Sequence, residues 1–300
     1  MNGLLLIDKP SGCTSHDVVL RLRRLLGEPR VGHFGTLDPL ATGLLVAALG
    51  KAPRFFPFYS AESKTYLARI RLGIATDTYD ADGTPTGGEA RELPDEPALR
   101  EAMTRFLGEI RQVPPPFSAK KFQGRPFYKL ARAGAQTPQT PVTVRVERFS
   151  LLRLSGAEAE VETTCSSGTY VRSLAHDLGR LLGCGAHLSA LRRTACGEFT
   201  IERSVGLEKL AELHSEDRVG EVLIPLEALL PGWPAFVLTG GESHRVRNGQ
   251  AVPSRPAAST SGEPIPGPLS VRLFTPDGRL QALARENGDG TLFLPFLVID

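Results

Sequence analysis

The apolar and polar positions of this chain fall into short, clearly punctuated runs. "GLLLIDKP" is an apolar stretch ended by Pro10 and predicts a buried strand. In "TSHDVVLRLRRLLG", Val18, Val19, Leu22, Leu25 and Leu26 recur at helical spacing, with Thr14 or Ser15 as N-cap and Gly27 as stop. "VGHFGTLDPLATG" follows as a loop, and "LLVAALG" is apolar enough for a central strand. "KTYLARIRLG" alternates Tyr66, Ala68, Ile70 and Leu72 with polar partners, the period of a half-buried strand. "TDTYDADGTPTGG" is turn material. "DEPALREAMTRFLGEI" predicts one amphipathic helix burying Leu99, Ala102, Met103, Phe106 and Ile110.

Beyond a loop-like, proline-rich segment, "PVTVRVERFSLLRL" and "EAEVETTC" predict two antiparallel strands joined near Ser155 and Gly156, and "TYVRSLAHDLGRLLG" the next helix. Strands and helices mix without a regular βαβ period, which favours an α+β fold with a mixed, largely antiparallel central sheet flanked by helices. The pattern changes after about residue 232. "PGWPAF" is a junction, and the short alternating runs beyond it, broken at Asp277-Gly278 and Asn287 to Gly290, predict a small all-β module. "VPSRPAASTSGEPIPGP" inside that module has the composition of a flexible loop.

Composition adds bounds. With 300 residues, 41% hydrophobic and 23% charged, the chain has room for one large domain or two unequal ones. No apolar run reaches membrane-spanning length and no secretory pattern is visible, so a cytoplasmic protein is expected. Cys13, Cys165, Cys184 and Cys196 are far apart, a spacing that suits neither zinc nor a disulfide framework. The net charge of +2 is uninformative, but its distribution is not. From Arg111 to Arg148 eight basic residues face a single acid, Glu147, with Phe117, Phe122, Phe127 and Tyr128 interleaved. Such a block fits an RNA-facing surface, where cations meet phosphates and rings stack on bases, or a solvated loop with aromatic anchors.

Familiar chemistry is missing. The sequence has no phosphate-binding loop, no dinucleotide fingerprint, no zinc-protease spacing and no nucleophile elbow. His176 and Asp177 are adjacent on a predicted helix, so their side chains diverge. No cofactor is expected. What stands out is Asp38 in "GTLDPLATG", where Pro39 keeps the acid out of the helical region and Gly35 and Gly43 permit tight backbone paths. From spacing alone it is either a turn aspartate bonded to backbone amides, or a nucleophile or base that needs a cation to stay ionised.

"GHFGTLDPLATGLL" resembles, almost position by position, the catalytic motif of the bacterial tRNA pseudouridine synthases that modify uridine-55 of the T loop, the TruB family. "LLLIDKPSG", "SKTYLARIRLG", "TDTYDADG", "PPPFSAKKFQGRPFYKLARAG" and "CSSGTYVRSLAHDLGRLLGCGAHLSALRRTACGEF" lie in that family's order. The resemblance implies a pseudouridine-synthase catalytic domain over 1–232, with a basic RNA-clamping insertion at about 111–141, and a PUA-like RNA-binding barrel over 236–300. It implies Asp38 as the essential aspartate, Arg172 as its partner, and Tyr66 against the target base. It implies His33 as the residue that fills the space of a flipped uridine, Tyr170 and Leu191 as pocket residues, and Lys9 as a support of the motif. Lys120, Lys121 and Lys129 would belong to the clamp. The site thus reads as one positioned carboxylate, a cation from far along the chain and no competing acid nearby.

The partner implied is tRNA, met at the T arm and, through the C-terminal module, at the acceptor end, by a monomer that needs neither membrane nor guide RNA. Two other readings stand beside it: the catalytic subunit of an RNA-guided pseudouridylation particle, and a tRNA-folding chaperone, a role that could coexist with catalysis.

Overall fold

The computed structural model describes residues 1–118, 121–122, 125–127, 140–255 and 269–299. The chain divides into a larger unit, Leu5–Leu49 with Pro53–Val222, and a smaller one built from Met1–Leu4, Gly50–Ala52 and Leu223–Asp300.

The strands up to the end of the larger unit are β1 (Gly3–Lys9), β2 (Val31–His33), β3 (Thr42–Leu49), β4 (Lys64–Leu72), β5 (Gly108–Gln112), β6 (Lys121–Phe122), β7 (Arg125–Pro126), β8 (Val142–Ser155), β9 (Glu158–Cys165), β10 (Ala186–Cys196) and β11 (Phe199–Thr200). The main sheet runs β1-β3-β10-β4-β9-β8-β5, with β2 on β3 and β11 on β10. Strand β10 pairs parallel with β3 and antiparallel with β4, whereas β4–β9, β9–β8 and β8–β5 are all antiparallel. This is the mixed, largely antiparallel sheet that the pattern predicts.

The helices are α1 (Ser15–Leu26), α2 (Phe56–Tyr59), α3 (Glu96–Thr104), α4 (Val171–Leu181), α5 (Leu207–Ser215) and α6 (Gly240–Arg247). Thr14 is the N-cap of α1, bonded reciprocally to Asp17, and Gly27 ends the helix at a φ of 62°. Helix α4 packs on β10 and β4, and its Leu174 and Leu178 are fully buried. Each such leucine stabilises the fold by roughly 1.5–3 kcal/mol.

Three elements differ from the sequence reading. Helix α3 stops at Thr104, and Ile110 lies on strand β5, because Gly108 adopts a φ of 84° that turns the chain into the sheet. Strand β10, the sheet's hub, has no simple alternation because register shifts at Leu188/Ala190 and Arg193/Ala195 move its side chains between faces. Part of the basic block is also sheet. Arg111 pairs with Thr143 across β5 and β8, and Arg148 forms an ion pair with Glu162 at 2.5 Å.

In the smaller unit, β12 (Leu223–Ile224) precedes a five-stranded sheet of order β13-β15-β16-β17-β14. Its strands are β13 (Ala235–Val237), β14 (Val252–Pro253), β15 (Ser270–Phe274), β16 (Leu280–Glu286) and β17 (Leu292–Val298). Val271, Leu273, Ala282, Ala284 and Phe293 form its core with Val246 of α6, a helix the sequence reading does not include. Thr239 and Glu242 cap α6 reciprocally, the same device that starts α1.

Gly43 shows how tightly β3 and β10 approach. Its φ is 96°, and a Cβ there would lie 2.3 Å from the carbonyl oxygen of Arg193 and 2.8 Å from its nitrogen. Gly43→Ala is therefore expected to lower unfolding stability by about 2 kcal/mol or more, through left-handed strain and backbone overlap. Urea denaturation measures it, and an unchanged midpoint would contradict the close approach.

Candidate active site

The turn that carries Asp38 is gripped by the segment leading from β1 into α1. Ser15 Oγ accepts from Leu37 N at 2.8 Å and donates to Leu37 O at 3.2 Å. Ser11 Oγ donates to Leu40 O at 3.0 Å, and Gly12 N donates to Pro39 O at 2.9 Å. Lys9 is fully buried, and its Nζ donates to Cys13 O at 2.7 Å, Pro10 O at 2.9 Å and Pro39 O at 3.4 Å. Within the turn Ala41 N donates back to Asp38 O at 3.1 Å. These bonds use up the turn's backbone carbonyls and leave the Asp38 side chain to point elsewhere.

It points at Arg172, the second residue of α4, which is 4% exposed. Nη2 donates to Asp38 Oδ1 at 3.1 Å, and Nε lies 2.9 Å from Oδ2 but off the line of a hydrogen bond. On its other side Nη1 donates to Asp80 Oδ2 at 3.0 Å and to Thr78 O at 3.2 Å, while Nη2 also reaches Phe117 O at 2.9 Å. Asp80 is buried, and its Oδ1 accepts from Thr78 Oγ1 at 2.5 Å. The expectation of no competing acid is thus corrected: one guanidinium serves two carboxylates. Sequence spacing carries no signal for this, since Asp80 sits 92 residues from Arg172 inside turn material.

Asp38, Arg172, Tyr66, Tyr170, Leu191 and Arg193 line one cavity of about 360 Å³. Tyr66 and Arg193 stand opposite each other on β4 and β10, and Leu191 pairs with Ala68 two residues along. Tyr170 caps α4, with its backbone held at both ends by the Gln112 side chain. Arg193 escaped the sequence reading although it adjoins "LSAL". It is 1% exposed and donates to Leu44 O at 2.7 Å and Gly35 O at 3.1 Å. His33 and Lys9 do not line the cavity. His33 is half-buried at the end of β2, opposite Ala47. Lys121 lies on β6, whose backbone pairs with β7; Lys120 and Lys129 lie outside the described residues. A larger hollow of about 620 Å³ shares Leu191, and both of its arginines are paired, Arg69 with Glu160 at 3.4 Å and Arg192 with Asp8 at 2.7 Å.

Electrostatics separates these groups. Burial pushes the Asp38 carboxyl up from its ordinary range and the Asp80 charge adds to this, while Arg172 and Lys9 pull it down. Burial raises the Tyr66 phenol to about 12 against the opposing pull of Arg193. Burial and Arg193 lower the His33 imidazole, which favours its neutral form. Among the described residues no cluster of three His, Cys, Asp or Glu side chains could hold a metal ion, and no helix is long and apolar enough to cross a membrane.

Fold and site together define an enzyme that presents one accessible carboxylate, clamped by a buried cation, to a substrate in a cavity of mixed polar and apolar lining. Comparison with known proteins gives the class its name. The model of the TruB family pseudouridylate synthase N-terminal domain matches residues 23–171, and that of the tRNA pseudouridylate synthase B C-terminal domain matches 172–231. The chain is 41% identical over 283 residues to tRNA pseudouridine synthase B of Solibacter usitatus, covering 94% of this chain and 95% of that one. It is 40% identical to the protein of that name from Aromatoleum aromaticum, with 97% and 91% covered. Among solved structures, an H/ACA RNP bound to a substrate RNA containing 2'-deoxyuridine gives a TM-score of 0.73 at 26% identity, covering 99% of this chain and 85% of that one. An archaeal box H/ACA Nop10–Cbf5 complex gives 0.71 at 26% identity, with 100% and 86% covered. The chain belongs to the TruB family of pseudouridylate synthases.

The opposing charges around Asp38 make its titration a test of the geometry. Its carboxyl carbon, followed by 13C NMR, should titrate above the ordinary aspartate value of about 3.9. Asp80→Asn removes a raising charge and frees Arg172 for Asp38, so the midpoint should fall. A midpoint that stays put or rises would show that the two acids do not share the guanidinium.

Proposed function

We propose that the chain isomerises uridine-55 in the T loop of tRNA to pseudouridine, with Asp38 as the carboxylate that opens the glycosidic link. The tRNA pseudouridine synthesis named in the family and its curated relatives supports the substrate, and one observation supports the residue: Asp38 is the acid that keeps a third of its side chain exposed, while the acid opposite it on Arg172 is closed off at 7%. Asp80 thus balances the buried guanidinium, and Asp38 is left for the substrate.

The reaction breaks the bond between N1 and C1′, turns the detached base, and joins C5 to C1′. Asp38 serves either by attack at C1′ or by taking the 2′ proton to give a glycal, and both need it ionised. Arg172 holds it in that form and fixes its direction. Tyr66 lies against the base and assists loss of the C5 proton, while Leu191 and Tyr170 wall the pocket. Lys9 acts on the turn rather than on the substrate.

A stacked uridine cannot enter such a cavity, so the nucleotide is extruded at a few kcal/mol of lost stacking. His33, which lies outside the cavity, fills the vacated space. The basic segment at 111–141, with Lys120, Lys121 and Lys129, closes on the RNA, and the module over 236–300 meets the acceptor end. The enzyme acts as a cytoplasmic monomer without guide RNA. Turnover of unmodified tRNA by the purified chain alone separates this reading from that of an RNA-guided subunit, and Asp38-dependent turnover separates it from that of a chaperone alone.

Asp38→Asn should cut tritium release from C5-labelled tRNA by about 10³-fold or more, with tRNA affinity kept within about threefold, since phosphate contacts and shape dominate binding. Wild-type release by this variant would overturn the assignment. Joint replacement of Lys120, Lys121 and Lys129 by Ala should weaken binding and lower the salt slope by about two to three. An unchanged slope would remove these lysines from the RNA contact.

A further inference from the structure

Tyr79 holds a φ of 66°, in the left-handed region that side chains with a Cβ seldom enter. Neither a hydrogen bond of its own side chain nor deep burial explains why it stays there. Its N–H donates to Thr76 O at 3.3 Å, and its side chain adds a ring contact. The phenol stacks on the imidazole of His176 with centroids 3.8 Å apart and planes 13° from parallel.

The positions of the two rings give that contact its meaning. His176 lies four residues after Arg172 on α4, so both side chains leave the same face of the helix. Tyr79 directly precedes Asp80, the inner counter-charge of Arg172. The same helix and the same loop therefore meet twice: Arg172 with Asp80 at 3.0 Å and with Thr78 O at 3.2 Å, and His176 with Tyr79. On its far side the loop is anchored to β10, where Leu188 N donates to Tyr79 O at 3.0 Å and Ala81 N donates to Leu188 O at 3.0 Å. Thr76 Oγ1 donates to Asp80 O at 2.7 Å. The stack adds to these backbone bonds a side-chain tie at Tyr79, on the side of the loop that meets α4.

We propose that Tyr79 and His176 are positioning residues for the isomerisation. Their stack braces the 78–80 backbone, so that Asp80 and the Thr78 carbonyl keep the Arg172 guanidinium against Asp38. Neither ring touches the cavity, and both act through Arg172. The inference rests on the reading of Asp38 as the catalytic carboxylate.

The test compares His176→Ala, His176→Phe and Tyr79→Gly in the full chain. Single-turnover tritium release from C5-labelled tRNA is measured beside tRNA affinity. His176→Ala and Tyr79→Gly should each slow release by about fivefold or more, equivalent to about 1 kcal/mol, with affinity unchanged. His176→Phe, which can still stack, should return the rate to within about twofold of wild type. In an Asp80→Asn background His176→Ala should add nearly nothing, because both changes loosen the same guanidinium. A wild-type rate for His176→Ala, no rescue by Phe, or losses that multiply with Asp80→Asn would each overturn the proposal.

A second measurement does not depend on the reaction assigned. The 15N signals of the Arg172 Nη atoms should be separate in the wild type and in His176→Phe, and merged by faster rotation in His176→Ala. Identical spectra in all three proteins would overturn the clamp. Separate signals that merge as expected, in a wild type that releases no tritium, would keep the clamp and overturn the assigned reaction instead.

Discussion

Arg172 is a full positive charge at 4% exposure, and two carboxylates and two backbone carbonyls surround it. A guanidinium removed from water is stable only if its donors are met and its charge is opposed. Asp80 does that from a buried position, and Thr78 in turn occupies the second oxygen of Asp80. Asp38 is then held by a cation that already has one partner, and its own burial favours the protonated form. By linkage, ionising Asp38 opposes folding: this penalty is absent below the unfolded pKa and complete above the raised folded one. The penalty grows as pH rises through that window, the reverse of the usual salt-bridged aspartate.

Three segments far apart in sequence have to meet for this to work. The turn at 37–41 is tied to the chain between Lys9 and Ser15 by hydrogen bonds from both backbone and side chains. The loop at 76–83 is tied to β10 through Leu188. Helix α4 packs on β10 and β4. Strand β10 is common ground, and its Arg193 reaches the carbonyls of Leu44 and Gly35 on either side of the turn that carries Asp38. Gly43 permits the approach that brings this arginine in. Burial, with a smaller push from Arg193, lowers the His33, Lys9 and Lys64 side chains from their ordinary values.

Much of this scaffold was legible in the order of residues, because local periodicity and caps decide it. The alternation in "KTYLARIRLG" and the Thr14 cap act within a few residues. Where long-range pairing decides, pattern failed. The apolar positions of "DEPALREAMTRFLGEI" run on at helical spacing through Ile110, and only the left-handed Gly108 and pairing with β8 end the helix at Thr104. Strand β10 hides because its bulges break the period of two. The site divides in the same way. Asp38 was visible as a lone acid but ambiguous between turn and catalysis, and a family likeness, not spacing, favoured catalysis. Asp80 and Arg193 were invisible as partners, since nothing local to either residue records which charge it will face.

The fold by itself leaves the enzyme's working arrangement open. At 26% identity a chain seen in an H/ACA RNP shares the architecture over 99% of this one, so the sheet is compatible with a protein found in such an assembly. A superposable scaffold cannot distinguish two ways of presenting RNA to the same cavity. Sequence likeness at 41%, spread over nearly the full length of both chains, is a stronger constraint than shared topology, because surface positions must agree as well as core ones. Under the proposed reading, the pair of Asp38 and Arg172 decides what is done to the uridine, and the segments around it decide how the uridine arrives.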